Sequence, residues 1–189
     1  MQGFRNITIC VNYKSHVIED YFEDGSKFDL NIEYIKENTA LGTAGALSLL
    51  NYAEGGGSKD SPFIVMNGDI LSDVNFHKLI NFHHEKHSMA TMGVREFNYQ
   101  IPYGVINTKN DKVTSIEEKP TQNFMVNAGI YCLNKECLQF IPKQSFFDMP
   151  DLFRSIIKHN NKIYAYLIEE YWVDIGRHEE YERANNESV

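Results

Sequence analysis

Hydrophobic residues in this chain fall into two patterns, short continuous runs and stretches in which they recur at helical spacing. The run Ile7–Val11 is apolar and rich in β-branched residues, which is typical of a strand buried on both faces. Between Asn12 and Gly25 the apolar residues recur every three or four positions, which predicts a helix with Asn12 as its N-cap. The first two predicted elements are therefore a strand and a helix.

The same alternation continues through the first half of the chain. Predicted strands at Asn31–Ile35 and Pro62–Met66 are separated by a predicted helix at Ala46–Tyr52, and another helix is predicted at Asn75–His87. The order β-α-β-α-β-α with short connections predicts a three-layer α/β/α sandwich with a largely parallel sheet. Such folds bind their ligands at the carboxyl ends of the strands.

The second half changes to strands with turns between them, one at Asn110-Asp111, which predicts a mixed sheet. A helix is predicted at Met149–His159 because Asp148 and Asp151 stand at its start. The other predicted elements are strands at Met89–Arg95, Tyr103–Thr108, Val113–Glu118, Val126–Leu133, Ile163–Leu167 and Tyr171–Val173 and a short helix at His178–Asn185. No internal repeat or long linker divides the sequence, so residues 1–189 are predicted to form a single domain.

The composition is that of an ordinary folded, acidic protein. The formal charge of −8 and the pI near 5.3 argue against non-specific binding to nucleic acid or to an anionic membrane. The sequence shows no export signal and no apolar run long enough to span a membrane. The sequence contains three cysteines, Cys10, Cys132 and Cys137. An odd number does not suit a disulfide framework, and their spacing is not that of a metal site, so a reducing cytoplasm is the expected location.

Two aspartates directly follow predicted strands, where this type of fold places its functional groups. Asp69 comes after an Asn-Gly step at the end of Pro62–Met66, and Asp174 follows Tyr171–Val173. In a parallel-type sheet both carboxylates would reach one crevice and hold a Mg²⁺ ion together with phosphate oxygens of a substrate. The alternative is that each aspartate only caps the turn or helix that follows it.

The stretch E-N-T-A-L-G-T-A-G-A at residues 37–46 joins a predicted strand to a predicted helix. Its two glycines would let backbone amides face a ligand at that junction. Small residues also adjoin hydrogen-bonding side chains at Tyr103-Gly104 and at Asn127-Ala128-Gly129. Both sites suit a polyhydroxylated ligand, although a strand glycine can equally mark a β-bulge.

Lys119 ends a predicted strand in the sequence S-I-E-E-K-P, immediately before Pro120. A lysine at that position can act as a point charge on a phosphate. The alternative is an exposed lysine that pairs with Glu117 or Glu118.

Two other motifs are discounted as sites. In H-H-E-K-H, His83 and His87 lie one helical turn apart, but no third zinc ligand is evident, so a solvated helix end is predicted. The glycines at 55–57 lack the spacing of a P-loop or a dinucleotide fingerprint and predict a loop tip. No Gly-x-Ser-x-Gly motif or plausible Cys/His pair supports nucleophilic hydrolysis.

Six blocks, taken in order, resemble the signature motifs of the sugar nucleotidyltransferase family, and most closely its mannose-1-phosphate guanylyltransferase-like group. They are L-G-T-A-G-A-L, V-M-N-G-D, Y-G-V-I, E-E-K-P, V-N-A-G-I-Y and Y-W-V-D-I-G, and the resemblance extends from about Gly3 to Asn185. The resemblance implies a Rossmann-like nucleotide-diphospho-sugar transferase fold with a mixed, mostly parallel sheet. A glycosyltransferase of a related fold is a weaker alternative, because the ordered E-K-P and N-A-G blocks argue against it.

The resemblance also implies roles for individual residues. Asp69 and Asp174 would share the Mg²⁺, and Lys119 would hold the sugar phosphate. The nucleoside pocket would be lined by Leu41, Gly42, Thr43 and Ala44, with Asn67 and Gly68 leading to the metal. The sugar hydroxyls would be contacted by Tyr103, Gly104, Glu118 and Asn127.

The implied reaction joins a sugar 1-phosphate to a nucleotide and releases pyrophosphate. GTP is the predicted nucleotide donor, with thymine, uracil and cytosine nucleotides as alternatives. The sugar is mannose, glucose or an N-acetylated hexosamine. The family's glycine-rich loop, G-G-x-G-T-R-L, is absent from this sequence. The chain is therefore expected to lack the family's first β-loop-α unit and to be weakly active or inactive by itself. The alternative function is a non-catalytic module of the same fold that senses sugar nucleotides or binds another subunit.

Overall fold

The computed structural model describes residues 2–50 and 61–176 of the 189-residue chain. Its helices and strands follow the chain in the order β1 (Asn6–Val11), α1 (Ser15–Phe22), β2 (Asn31–Lys36), α2 (Gly42–Gly45), β3 (Phe63–Met66), β4 (Ile70–Ser72), α3 (Phe76–Glu85), β5 (Ala90–Gln100), β6 (Val105–Lys109), β7 (Lys112–Glu117), β8 (Thr121–Leu133), α4 (Met149–Lys158), β9 (Ile163–Leu167) and β10 (Trp172–Asp174). The predicted helix at residues 178–185 and the predicted loop tip at residues 55–57 lie outside the described residues.

Among the described residues, the central sheet contains four strands in the order β3, β8, β5, β9. β8 runs antiparallel to both β3 and β5, whereas β5 and β9 are parallel. β1 and β2 form a separate parallel pair, β6 and β7 form a hairpin, and β4 pairs with β10. The predicted α/β class and the mixed sheet are confirmed.

Helices cover both faces of the central sheet because side chains along β8 alternate between two apolar clusters. Tyr131 and Leu133 join a buried cluster with residues of α4, among them Leu152. Ile130 and Cys132 point the other way and pack in a cluster with Leu79 of α3. This alternation produces the three layers that the sequence predicted.

Two predicted helices differ from the structure at their starts. Asn12 does not cap α1, because its side-chain amide donates to the Glu37 carbonyl, and Lys14, with φ 53°, occupies the cap position. The helix predicted at Ala46–Tyr52 instead begins at Gly42 and continues from Ala46 as a 3₁₀ turn. Both differences arise from contacts with distant segments, which a local pattern does not contain.

Two expectations from composition can be compared with the described residues. Cys10, Cys132 and Cys137 are all free, and burial raises the pKa of Cys132 and Cys137 to about 12, so both thiols stay protonated at neutral pH. In residues 2–50 and 61–176, no helix combines the length and the apolar character needed to cross a bilayer.

Candidate functional site

The short ladder between β4 and β10 brings the two predicted aspartates together. β4 begins directly after Asp69, and its first residue, Ile70, pairs with Asp174 in antiparallel register. The Ile175 amide also donates to the Asp69 carbonyl at 2.8 Å. The sequence predicted the strand at the end of which Asp174 lies, but it missed β4, because only three residues pair there.

The carboxylates of Asp69 and Asp174 converge on one small space beside Gly176. A Cβ atom built on Gly176 would lie 2.9 Å from Asp69 Oδ2 and 3.1 Å from Asp174 Oδ1. The Gly176 amide donates to Asp174 Oδ1 at 3.0 Å and so orients that carboxylate. Glycine at position 176 therefore keeps open a space that two carboxylate oxygens border.

This donor set fits the predicted magnesium ion. Mg²⁺ prefers oxygen ligands, and proteins commonly supply one or two carboxylates while water and substrate phosphates complete the shell. No group of three or more His, Cys, Asp or Glu side chains suited to a metal occurs among the residues that the structure describes. The arrangement therefore fits a metal shared with a substrate better than an ion fully enclosed by protein.

The N-A-G block of β8 lies against both aspartate segments. The Asn67 amide donates to the Gly129 carbonyl at 2.9 Å, and Trp172 Nε1 donates to the Ala128 carbonyl at 2.8 Å. Gly129 has φ +69°, and a Cβ there would lie 2.9 Å from Asn67 Nδ2. The blocks V-M-N-G-D, V-N-A-G-I-Y and Y-W-V-D-I-G are thus in direct contact in the folded chain.

Asn127, the predicted sugar contact, has its side chain fixed by the protein. Its Nδ2 donates to the Tyr131 hydroxyl at 2.7 Å, and its Oδ1 accepts from the Gly129 amide at 3.1 Å. Burial, as the main cause, raises the pKa of Tyr131. The β5–β8 register shifts between Met92 and Val94, so the β-bulge alternative also holds at this block.

The turn from Leu41 to Gly45 uses its amides inside the chain. Leu41 donates to a Glu37 carboxylate oxygen at 2.8 Å, while Ala44 and Gly45 both donate to the Phe147 carbonyl. The amides of Leu41, Thr43, Ala44 and Gly45 are therefore bonded within the chain and do not face a ligand, contrary to the expectation for this stretch. The assignment of Leu41, Gly42, Thr43 and Ala44 to the nucleoside pocket stays a prediction.

Lys119, the predicted ligand of the sugar phosphate, belongs to a second group of candidate site residues. Lys119 has a left-handed backbone, with φ 47°, and its carbonyl accepts from Gln100 Nε2 at 3.3 Å. Its ammonium forms no salt bridge with another described residue, so the alternative of a pair with Glu117 or Glu118 is not seen. Within the described ranges, no hydrogen bond or salt bridge connects Lys119 to either aspartate.

The predicted sugar contacts Tyr103, Gly104 and Glu118 lie near Lys119 in the chain or in space. A Cβ atom on Gly104 would lie 3.1 Å from Glu118 Oε2, so these two positions are in contact. Tyr103 is three-quarters exposed and available to a ligand. The structure thus joins Gly104 to Glu118 but shows no bond from this group to the aspartate pair.

His83 contradicts the prediction that the histidine cluster is a solvated helix end. Its side chain is buried, Nδ1 lies 2.9 Å from Thr91 Oγ1, and Nε2 lies 3.0 Å from Asn134 Oδ1. His83 stands four residues after the buried Leu79, and this spacing could have revealed its inward position. With both nitrogens bonded to the protein, His83 is a core residue and not a zinc ligand, while His84 and His87 are exposed as predicted.

Comparisons with known proteins show which family the chain belongs to. The chain matches the family described as Nucleotidyl transferase over residues 1–189. It is 33% identical to a probable mannose-1-phosphate guanylyltransferase 1 of Oryza sativa subsp. japonica, over 95% of this chain and 50% of the relative. It is 31% identical to a UTP–glucose-1-phosphate uridylyltransferase of Synechocystis sp., over 96% of this chain and 51% of the relative. The chain thus spans about half the length of these curated relatives.

Solved structures show the same fold. HddC from Yersinia pseudotuberculosis, crystallised in complex with GMP-PN, superimposes with a TM-score of 0.74 and 26% identity, covering 100% of this chain and 80% of that one. A UDP-glucose pyrophosphorylase in complex with UDP-glucose superimposes with a TM-score of 0.69 at 17% identity, which shows the fold alone. The predicted Rossmann-like fold is confirmed, and the chain belongs to the nucleotidyl transferase family, as its sugar nucleotidyltransferase motifs indicated.

Proposed function

We propose that this chain takes part in the transfer of a nucleotidyl group from GTP to a sugar 1-phosphate, with mannose 1-phosphate as the first candidate acceptor. The observation that carries the proposal is the convergence of Asp69 and Asp174 beside Gly176, in contact with the N-A-G block. The choice of GTP and mannose is supported by relatives named as mannose-1-phosphate guanylyltransferases and by the HddC complex with GMP-PN.

The reaction needs alignment more than it needs a general base. An oxygen of the sugar phosphate attacks the α-phosphorus of the triphosphate, and the bond from that phosphorus to the pyrophosphate oxygen breaks. A phosphate monoester has a second pKa near 6, so the attacking oxygen is already ionised at neutral pH. What remains for the protein is to hold two anionic substrates together and offset their charge.

The described residues divide that task. Asp69 and Asp174 would hold a Mg²⁺ ion, which when bound offsets the negative charge of the phosphates. Lys119, whose ammonium forms no salt bridge to a described residue, would bind the phosphate of the sugar. Asn127 is held in place by Tyr131 and would present its remaining amide proton to a sugar hydroxyl.

The first test is binding of substrates and metal to the unaltered chain. We expect GTP and mannose 1-phosphate to bind in the presence of Mg²⁺, with UTP, dTTP, CTP, ATP and glucose 1-phosphate as comparison ligands. Asp69→Asn and Asp174→Asn should each weaken Mg²⁺-dependent nucleotide binding on the order of 10-fold to 100-fold. Asp73→Asn is the matched control, because Asp73 is an exposed aspartate beyond the β4–β10 ladder.

Calorimetric titration measures these affinities, and release of pyrophosphate measures turnover. Because the glycine-rich loop is absent from the 189 residues, we expect slow turnover or none from this chain alone. Failure of every nucleotide and sugar phosphate to bind would refute the proposal. Nucleotide binding that is indifferent to both aspartate substitutions would instead favour the sensing or subunit-binding module.

A further inference from the structure

The turn from Leu41 to Gly45 is joined to the start of α4 by hydrogen bonds that run in both directions. The Thr43 amide donates to Asp148 Oδ1 at 3.0 Å, and the Thr43 hydroxyl donates to the same oxygen at 3.2 Å. In return, the Met149 amide donates to Thr43 Oγ1 at 2.8 Å. Thr43 and Asp148 are 105 positions apart in sequence, so this connection is a product of the tertiary fold.

The backbone of Phe147 reinforces the connection. Its carbonyl accepts from the amides of Ala44 and Gly45 at 2.9 and 2.8 Å, and its own amide donates to the Leu41 carbonyl at 2.8 Å. Together with the Asp148 bonds, three consecutive amides of the turn are held by the two residues before α4. The turn therefore cannot shift without breaking several hydrogen bonds at once.

The two segments are also packed too closely for a side chain between them. A Cβ on Gly42 would lie 2.7 Å from Asp148 Oδ1, and Gly42 has φ +78°. A Cβ on Gly45 would lie 2.6 Å from the Ser145 carbonyl oxygen. Glycine at both positions lets the turn lie directly against the segment that Asp148 ends.

Asp148 departs from the usual role of an aspartate at a helix N-terminus. It occupies the N-cap of α4 with an extended backbone, yet its side chain makes no capping bond within that helix. The carboxylate instead accepts from Thr43, and Thr43 accepts from the first amide of α4. Helix and turn thus satisfy each other's polar groups.

We propose that Asp148 is a positioning residue for the nucleotide-binding turn, fixing the backbone of Leu41–Gly45 against the start of α4. The inference rests on the proposed function, because it takes the turn Leu41–Gly45 as the segment that binds the nucleoside of GTP. It predicts that the carboxylate acts through Thr43 and touches no substrate. Its loss should therefore impair nucleotide binding more than sugar phosphate binding.

The experiment compares Asp148→Ala with Asp148→Asn in the full chain. Asparagine keeps the Oδ1 acceptor for Thr43, whereas alanine removes it. Asp148→Ala should weaken GTP binding about 10-fold, and Asp148→Asn should stay within about 2-fold of the unaltered chain. Mannose 1-phosphate affinity should change by less than about 2-fold in both variants.

Amide hydrogen exchange tests the position of the turn without any ligand. In Asp148→Ala the Thr43 amide should exchange at least about 10-fold faster, while amides of β5 and β8 keep their protection. Asp151→Ala is the matched control, because it removes the same charge from the first turn of α4 but contacts Arg154 instead of Thr43. It should leave both measurements unchanged.

Thr43→Val supplies a second variant if Asp148→Ala fails to fold, because it removes only the hydroxyl and keeps the shape of the side chain. The Met149 amide, which loses its acceptor in this variant, should exchange faster. GTP should bind more weakly, as it does in Asp148→Ala. Equal GTP affinity in both Asp148 variants and unchanged exchange at Thr43 would overturn the positioning role. No GTP binding by the unaltered chain would instead refute the proposed function, and the positioning role with it.

Discussion

At the scale of single residues, Gly176 controls how closely two carboxylates can share one space. Gly176→Ala would place a methyl group 2.9 Å from Asp69 Oδ2 and 3.1 Å from Asp174 Oδ1, so at least one carboxylate must move. We expect the affinity for Mg²⁺ or Mn²⁺ to fall about 10-fold, which paramagnetic titration with Mn²⁺ would measure.

The melting temperature provides the control for this substitution. Gly176 lies in an exposed turn, so the variant should unfold within about 2 °C of the unaltered chain. Unchanged metal affinity in a folded Gly176→Ala variant would show that the two aspartates do not bind one ion.

His83 makes stability depend on pH. Burial, the largest cause, lowers the pKa of His83 below its ordinary value of 6.5, so the unfolded chain takes up a proton before the folded chain does. The free energy of unfolding is therefore fully retained above about pH 7 and falls as the pH drops through 6.5 toward the lower folded pKa. His83→Gln should reduce this loss, measured as the melting temperature at pH 7.5 and pH 5.5.

The exposed His87 near the end of the same helix is the matched control. His87→Gln should leave the pH dependence of melting as it is in the unaltered chain. A His83→Gln variant that loses as much stability on acidification as the unaltered chain would contradict the assignment to His83.

At the scale of elements, Trp172 connects the ladder that carries Asp174 to the central sheet. Its Nε1 donates to the carbonyl of the buried Ala128 in β8. Trp172→Phe keeps an aromatic ring but leaves that carbonyl without its donor. We expect a loss of about 1 to 2 kcal/mol in the free energy of unfolding, measured by urea denaturation.

The same variant should also weaken metal binding, since β10 would be held less firmly against β8. A change in stability with no change in Mn²⁺ affinity would show that Trp172 supports the fold alone. Trp172→Tyr should not restore the hydrogen bond to the Ala128 carbonyl, because a phenol hydroxyl projects from a different point of the ring than the indole Nε1.

Elements with a strong local pattern were predicted well from the sequence. β2 and β9 lie within one residue of the predicted strands, because isoleucine and tyrosine, which favour strands, occur in both. α2 was placed too late and β4 was missed, because the first depends on Phe147 and Asp148 and the second on a three-residue pairing with β10. The errors fall where distant partners determine local structure.

At the scale of the whole molecule, the β1–β2 pair is set apart from the central sheet. The two strands pair only with each other in the described residues, and α1, which lies between them in sequence, has no buried residue. A two-stranded sheet is marginally stable without further packing. Amides of β1 and β2 should therefore exchange at least about 10-fold faster than those of β5 and β8.

Residue-resolved hydrogen exchange by NMR would measure this difference. Equal protection in both sheets would show that the molecule opens as a single cooperative unit. Faster exchange in β1 and β2 would instead define a region whose stability depends on additional contacts.

The site was predictable from the sequence only in part. Asp69 and Asp174 could be recognised because each follows an apolar run, and the structure brings them together. The contacts of Gly176 with Asp69 and of Asp148 with Thr43 were hidden, because each joins residues that are far apart in sequence. Spacing along the chain identifies side chains at strand ends, but it does not show which backbone keeps them in place.

The ladder between β4 and β10 also sets the order of events during biosynthesis. Its two strands are separated by about 100 residues, and such a long loop must close before the aspartates can meet. While residues 172–174 are still inside the ribosome, the part of the nascent chain that has emerged carries Asp69 but not Asp174. The two carboxylates can therefore come together only after β10 has left the ribosome, and a cation that needs both of them would bind no earlier.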